Sequence, residues 1–355
     1  MLRYILVGTG GFGAAWCTHF LPPLRTSGKA ECVAAADISP NALSNAREHL
    51  GVSAERCFTD AQKAISEVDA DFVIVVVPPV HHETIIGLAI DRGLDVLCEK
   101  PIAGDMFACA RILSRVRRAG RRMAITMSHR FDQDKQTLAR VLRSGRYGRL
   151  DYLVGRNTWA CRNFPAWGSF RYHIADPLLV EGVVHHFDCM RELTGANAAT
   201  VYARTWNPPW SEFAGDCQAL ITIEMTNGVR VLYEGAKANA SELNGWSMDY
   251  WRAECELATV ELDGRRLRTF AGNRGSGITT EELPLDTRTA WGNAWLAEQF
   301  VDWLNGGDAP PTTIDDNIQC AALLFAAIDS ARTGQPVEVQ EFLRRHLETS
   351  EAVGV

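Results

Sequence analysis

Three things are scarce in this sequence of 355 residues, and each scarcity closes a class of function. The ten cysteines are scattered, no two closer than Cys98 and Cys109, and none forms a C-x-x-C pair. Local spacing therefore offers neither a zinc site nor a dithiol redox pair, no metal is expected, and reduced, mostly buried thiols are. Concentrated positive charge is also missing. The formal charge is −7, and the arginines between Arg111 and Arg122 alternate with apolar residues as on the solvated face of a helix. A nucleic-acid partner needs a dense Lys/Arg face, so none is expected. Finally, no apolar run is long enough to span a bilayer, which argues against a membrane partner. The first strand-forming run starts at the N-terminus and leaves no room for a signal peptide, so a cytoplasmic location is expected. There is no internal repeat and no low-complexity tract.

What is present begins with Tyr4-Ile5-Leu6-Val7, an apolar run of strand formers. It leads into Gly8-Thr9-Gly10-Gly11-Phe12-Gly13 and then into the helix-like Ala14-Ala15-Trp16-Cys17. A G-x-G-x-x-G match carries meaning in this strand–turn–helix setting. Gly8 permits the tight turn, Gly10 lets the backbone approach a pyrophosphate, and Gly13 lets the helix pack on the strand. Free N–H groups at the helix N-terminus favour phosphate. Asp37 closes the next apolar run, Cys32 to Ala36, where a carboxylate should meet an adenosine ribose. The same acid would repel a 2′-phosphate, and Ile38-Ser39 supply no arginine, so NAD is expected over NADP.

Up to residue 127 the pattern alternates strand and helix, predicting a doubly wound parallel α/β (Rossmann) domain over 1–127. Strands are expected at Glu31–Asp37, Cys57–Thr59, Phe72–Val77, Asp95–Cys98 and Met123–Met127. Helices are expected at Gly11–Leu21, Pro40–Leu50, Ala61–Glu67, His82–Arg92 and Asp105–Ala119. Beyond residue 128 short alternating runs follow at hairpin spacing: Leu150–Trp159, Thr200–Thr205, Asp216–Met225, Val229–Glu234, Arg252–Glu256, Thr259–Leu262 and Leu267–Phe270. Asn227-Gly228 and Asp263-Gly264 are the residues a type I′ turn demands. With helices at Pro177–Leu193, Gly292–Asn305 and Asn317–Thr333, this predicts an α+β domain over 128–355 with a mainly antiparallel open sheet. Its terminal helices are free to pack back on the first domain. The last fifteen or so residues are polar and read as frayed.

Two places beyond the glycine turn could carry chemistry. Glu99-Lys100-Pro101 follows the fifth strand, and ligands of open α/β sheets bind outside strand carboxyl ends. The alternative is an ordinary strand-end lysine. On the helix Pro177–Leu193, Glu181, His185 and Asp188 stand at i, i+4 and i+7, so they share a face. A carboxylate one turn from an imidazole orients the ring and supports its charged form, as a general base requires. The alternative is a structural histidine, which His186 on another face is taken to be. Val77-Pro78, with His82, would wall the nicotinamide side of the cleft. Arg130 and the stretch holding Arg156, Trp159, Arg162, Asn163, Trp167, Arg171 and Tyr172 offer stacking and hydrogen bonds to a hydroxylated ring, or alternatively pack the sheet.

Together these residues resemble the glucose–fructose oxidoreductase, inositol dehydrogenase and rhizopine-catabolism (Gfo/Idh/MocA) family over nearly the whole chain. The resemblance rests on the glycine turn, Asp37, Pro78-Pro79 with His82, Glu99-Lys100-Pro101, and the helix from Glu181 to Asp188. The closing Ala326–Ala331 and Gly334–Val337 segments add to it. It implies that Lys100 and His185 are catalytic, with Glu181 tuning them, and that the cofactor contacts Gly8, Gly10, Gly11, Phe12, Gly13, Asp37, Val77, Pro78, His82, Glu99 and Lys100. It implies a substrate, a sugar or cyclitol, held by Lys100, Arg130, Arg156, Trp159, Arg162, Tyr172, Glu181 and His185. The implied reaction is reversible oxidation of a secondary alcohol with hydride transfer to nicotinamide, in a homodimer or homotetramer. One departure is visible. The family pattern D-x-x-x-H-x-x-D here has Glu181 at its first acid, which leaves that residue's role open. A nicotinamide-dependent glycosidase of the same fold and a non-catalytic nicotinamide-binding regulator stand as alternatives.

Overall fold

A computed structural model describes residues 1–163 and 170–352 of the chain. The chain divides into two compact units. Unit 1 is Met1–Ser128, Ala290–Ala321 and Arg345–Val355, and unit 2 is His129–Thr289 and Ala322–Arg344.

Unit 1 is built on a six-stranded sheet of β1 (Leu2–Val7), β2 (Ala30–Ala36), β3 (Cys57–Phe58), β4 (Phe72–Val75), β5 (Asp95–Cys98) and β6 (Met123–Ile125). Its order is β3-β2-β1-β4-β5-β6 and every pair is parallel, as the expected Rossmann class requires. All four residues of β4 are buried, as in a central strand covered on both faces. The order reverses between β1 and β4, so the carboxyl ends of these two strands bound the crevice where such sheets take ligands. β4 stops at Val75 rather than Val77. The Val76 amide still donates to the Val7 carbonyl (2.7 Å), but Pro78 and Pro79 follow and cannot donate to a ladder. β6 stops at Ile125 rather than Met127.

The expected helices of unit 1 are present, Ala61–Glu67 with the expected bounds and the others with shifted ends. The first starts at Phe12, one residue late, because Gly11 caps it with a φ of 52°, and its second half, Trp16–Phe20, widens into a π turn. A separate short helix, Pro22–Thr26, was not foreseen. The second expected helix starts at Leu43 rather than Pro40. Asp105 lies just outside the helix Met106–Ala119 and caps it, its carboxylate accepting from the Ala108 amide (2.8 Å). From far along the chain, the helix Gly292–Leu304 brings Phe300 edge-on to Phe72, ring centroids 5.5 Å apart.

Unit 2 carries a nine-stranded sheet of β7 (Leu150–Thr158), β8 (Ala198–Trp206), β9 (Gln218–Met225), β10 (Arg230–Ala236), β11 (Tyr250–Cys255), β12 (Thr259–Asp263), β13 (Arg266–Asn273), β14 (Gly277–Leu283) and β15 (Val337–Glu338). The order is β14-β13-β12-β11-β7-β10-β9-β8-β15, antiparallel except for the β7–β10 pair. Alternation sets the buried face. Ile221 and Ile223 of β9, Val231 and Tyr233 of β10, Leu153 of β7 and Trp251 of β11 are buried, while Leu220 and Leu232 remain exposed. β14 escaped the pattern because residues 277–282 are exposed, which leaves no apolar alternation to read.

Both hairpin expectations need correction. The Gly228 amide donates to the Met225 carbonyl (2.9 Å) and Gly228 has a φ of 85°, whereas Asn227 does not adopt a positive φ. That is a three-residue loop closed by a left-handed glycine, not a type I′ turn. In the second hairpin Asp263 still pairs with Arg266, so the turn pair is Gly264-Arg265, with φ of 53° and 66°. The chain end also departs from expectation. Val339–Ala352 is helical, with Val339, Phe342 and Leu343 buried at helical spacing. The helix Gln133–Arg143 was likewise not foreseen. No described helix is long and apolar enough to cross a membrane.

Phe300 tests whether the late helix belongs to the core of unit 1. Phe300→Ala should cost about 3–5 kcal/mol in chemical denaturation, the usual loss for a buried phenylalanine. A cost below about 1 kcal/mol would mean that the helix is only loosely docked.

Candidate functional site

The glycine turn at the end of β1 is closed to side chains at two points and open at a third. A Cβ on Gly8, whose φ is 95°, would lie 2.0 Å from the Val76 carbonyl oxygen, and one on Gly13 would lie 2.3 Å from that of Gly8. The helix thus packs on the turn at a distance only glycine allows. At Gly11, by contrast, a Cβ would meet nothing within 4 Å, and the Phe12 side chain is exposed. Asp37 braces this turn. Its Oδ2 accepts from the amides of Thr9 (2.8 Å) and Gly10 (2.9 Å), and its Oδ1 accepts from Ser39 (2.8 Å). A carboxylate with about four lone-pair sites keeps capacity for a further donor. An open glycine backbone beside such an acceptor fits the phosphate and ribose of a dinucleotide.

The ends of β4 and β5 are tied together by His82. This ring is wholly buried, with Nε2 2.9 Å from the Val77 carbonyl oxygen and Nδ1 3.1 Å from that of Pro101. Burial lowers its pKa, against the opposing pull of the Val77, Ile102 and Pro101 carbonyls. His82 was expected to touch cofactor; instead it joins two loops, with both nitrogens engaged. Glu99 is also buried. Its Oε1 accepts from Trp16 Nε1 (2.9 Å) and its Oε2 from the Lys100 amide (3.2 Å), and burial raises its pKa. Glu99 therefore links the helix after the glycine turn to the backbone of Lys100. The Lys100–Pro101 peptide is cis, and Lys100 is half-buried just beyond the carboxyl end of β5.

In unit 2 the helix over residues 177–194 also contains a π turn, Leu179–Val183, which holds Glu181. The two acids that share a face with His185 each meet an arginine. Glu181 accepts from Arg171 Nε (2.6 Å). Asp188, fully buried, takes two bonds from Arg130, at 2.7 Å from Nε and 2.6 Å from Nη2. Arg130 also reaches Glu192 (2.9 Å). Arg130, expected at the substrate, is thus an internal counter-charge. His185 is 4 % exposed and packs edge-on against Trp246, ring centroids 5.0 Å apart, and near His129 at 5.9 Å.

The remaining ring-binding candidates separate. Trp159 stands edge-on to the same Trp246 (5.7 Å), with the Lys237 ammonium 5.5 Å over its ring. Arg156 pairs with Glu234 (2.8 Å) and lies over the Tyr250 ring. Arg162 donates to the carbonyls of Ala238 (3.1 Å) and Asn239 (3.0 Å). Tyr172 is a core residue, stacked on Phe213 at 4.2 Å with its hydroxyl donating to the Asn163 carbonyl (3.0 Å). Trp167 lies outside the described residues.

The sequence reading missed the buried charges beside His185. Asp249 Oδ2 lies 2.8 Å from His129 Nε2, 3.0 Å from Lys135 Nζ and 3.3 Å from Trp251 Nε1. Burial alone would raise the carboxyl pKa of Asp249, but the His129 and Lys135 charges reverse this and hold it well below the usual range. His129 Nδ1 faces Asp132 (3.2 Å). His186 bonds Tyr233 through Nδ1 (2.9 Å), and burial pushes its pKa down to about 4. Ligand atoms of His129, His186 and Asp249 lie within 4.8 Å of one another, a spacing that suits a metal ion. The Lys135 ammonium already neutralises this carboxylate, however. Trp246, the part-exposed ring against His185, was missed as well.

Arg130→Ala removes both short bonds to the buried Asp188 carboxylate, leaves Arg191 at 3.7 Å, and should lower unfolding free energy by about 3 kcal/mol. Unchanged stability with a raised KM for substrate would return Arg130 to a binding role.

Two family models match this architecture. One, described as an oxidoreductase family with an NAD-binding Rossmann fold, covers residues 2–127; the other, that family's C-terminal alpha/beta domain, covers 142–339. The chain is 44 % identical to the uncharacterized protein y4oX of Sinorhizobium fredii, over 97 % of each chain. It is 34 % identical to inositol 2-dehydrogenase 4 of Saccharopolyspora erythraea, over 82 % of this chain and 78 % of that one. Among solved structures it resembles an oxidoreductase from Agrobacterium radiobacter in complex with NAD+, L-tartaric acid and magnesium. That likeness has a TM-score of 0.82 at 20 % identity, over 96 % of this chain and 99 % of the other. With both of its domains matched, the chain belongs to the Gfo/Idh/MocA oxidoreductase family.

Proposed function

We propose that the protein is an NAD(H)-dependent dehydrogenase that interconverts a secondary alcohol and a ketone on a sugar or cyclitol. The observation that carries this reading is Lys100 at the carboxyl end of β5, in the family whose relatives include inositol 2-dehydrogenases. The glycine turn and Asp37 would hold the dinucleotide, and Asp37 disfavours a 2′-phosphate. When bound, nicotinamide supplies the hydride-accepting carbon, chemistry that no side chain provides.

The remaining roles fall to side chains. His185 takes the substrate hydroxyl proton as general base, sheltered from bulk water by its ring neighbours. Lys100 stabilises the alkoxide that develops on that oxygen and, in reverse, polarises the carbonyl. Glu181, held by Arg171 one turn before His185, tunes this pair of groups.

Purified protein, screened with sugars and cyclitols by NADH absorbance, should reduce NAD with at least one. His185→Ala and Lys100→Ala should each lower kcat by about 10²–10⁴-fold. Near-full turnover in either variant would remove that residue from the mechanism. NAD should bind more tightly than NADP, and equal affinities would defeat the role given to Asp37. Glycoside cleavage without net NADH would replace the dehydrogenase reading with a hydrolytic one.

A further inference from the structure

The indole against His185 sits on a tightly held corner. The Met248 amide donates to the Gly245 carbonyl (2.9 Å), closing a four-residue turn with Trp246 and Ser247 at its centre. Ser247 has a φ of 64°, a left-handed conformation that glycine usually supplies at the third position of such a turn. A serine stays in it only where the surroundings impose it. The Asn244 carbonyl accepts from the Thr158 amide (2.9 Å) and from Asn157 Nδ2 (3.1 Å), and Asn244 Nδ2 donates to Asp263 (3.1 Å). The turn is pinned to β7 on one side and to the end of β12 on the other.

The ring is held as firmly as the backbone. His129 lies 4.4 Å from Trp246, tilted by 44°, and is itself fixed by Asp249 and Asp132. Trp159 meets the ring edge-on at 5.7 Å and His185 at 5.0 Å, with interplanar angles of 78° and 79°. Trp159, His129 and His185 are buried, whereas Trp246 keeps part of its surface open to solvent. An aromatic ring whose position is set by three others, and which stays partly exposed beside a buried imidazole, is a preorganised platform for a ligand.

We propose that Trp246 is the specificity-determining residue of the substrate site. Its indole takes the C–H face of a pyranose or cyclitol ring by stacking and so presents a ring hydroxyl to His185. This rests on the dehydrogenase reading for the reaction, though not for the binding. The chemistry selects closed rings with a run of axial C–H groups on one face, because an acyclic polyol offers no flat apolar patch to an indole.

Binding separates the two claims. NADH-loaded enzyme would be titrated calorimetrically with myo-inositol, D-xylose and D-glucose, and with acyclic galactitol, using wild type, Trp246→Phe and Trp246→Ala. Thermal melts would show that each variant is folded. Wild type should bind at least one ring polyol. Trp246→Ala should weaken that binding by roughly tenfold, the order expected for loss of a good aromatic contact, and Trp246→Phe should restore most of it. Galactitol binding, weak in wild type, should change by less than about twofold. Should Trp246→Ala fail to fold, the Phe variant decides, with a two- to fourfold loss expected for rings alone. Three results overturn the proposal: no ring polyol binds wild type, rings bind the folded variants as tightly as wild type, or ring and acyclic polyols lose affinity equally. Ring binding that depends on Trp246 without NAD reduction would sink the dehydrogenase reading and leave the platform standing.

Discussion

A carboxylate that leaves water must be met by positive charge or by hydrogen-bond donors, and the architecture beside His185 follows from that requirement. Asp249 is wholly buried just before β11. His129, Lys135 and Trp251 converge on one of its oxygens, and each comes from a different stretch of backbone. The arrangement fixes the ring of His129, His129 supports Trp246, and Trp246 packs against His185. A partly exposed aromatic beside His185 is thus anchored in a buried charge pair. Removing any one of these donors would leave the carboxylate under-compensated.

Unit 1 uses the same principle on a smaller scale. Asp37 gathers three backbone amides and so gives the glycine turn a fixed shape. Glu99 receives an indole N–H and the amide of Lys100, so the residue that carries the ammonium is held through its backbone. His82 does comparable work with an imidazole ring set between two carbonyls. Three polar groups that a sequence reader assigns to ligand contact are therefore engaged with the protein's own loops. For Asp37 the two uses are compatible, since a carboxylate has acceptor sites to spare. For His82 the ring nitrogens face the Val77 and Pro101 carbonyls in the buried interior.

Much of this was legible in the sequence, and what was not shares one cause. Strand β4 announces itself by an unbroken apolar run, the glycine turn by its spacing, and the helix that bears His185 by its cap and periodicity. All of these are local signals. The pairing of Arg130 with Asp188 spans 58 positions, and that of His129 with Asp249 spans 120. Nothing in composition distinguishes a buried ion pair from a solvated one, so Arg130 read as a substrate contact and its pairing with Asp188 went unseen. β14 failed for the opposite reason. Exposed on both faces, it carries no hydrophobic code, and only hydrogen bonding to β13 makes it a strand. The shifted hairpin turns show a finer limit. Turn residues fix which dipeptide tolerates positive φ, but strand register decides which residues occupy the bend.

The glycine turn also constrains how the protein can diverge. Any side chain at residue 8 runs into the carbonyl of Val76, and any at residue 13 into the carbonyl of Gly8. Both obstacles are main-chain atoms, which no rotamer change elsewhere can move aside. The two positions are therefore shut to gradual replacement, and neither can be rescued by a compensating side chain nearby. Gly11 has room for a side chain, but its φ of 52° strains any residue other than glycine, so variation at this end of the sheet is channelled to the exposed Phe12.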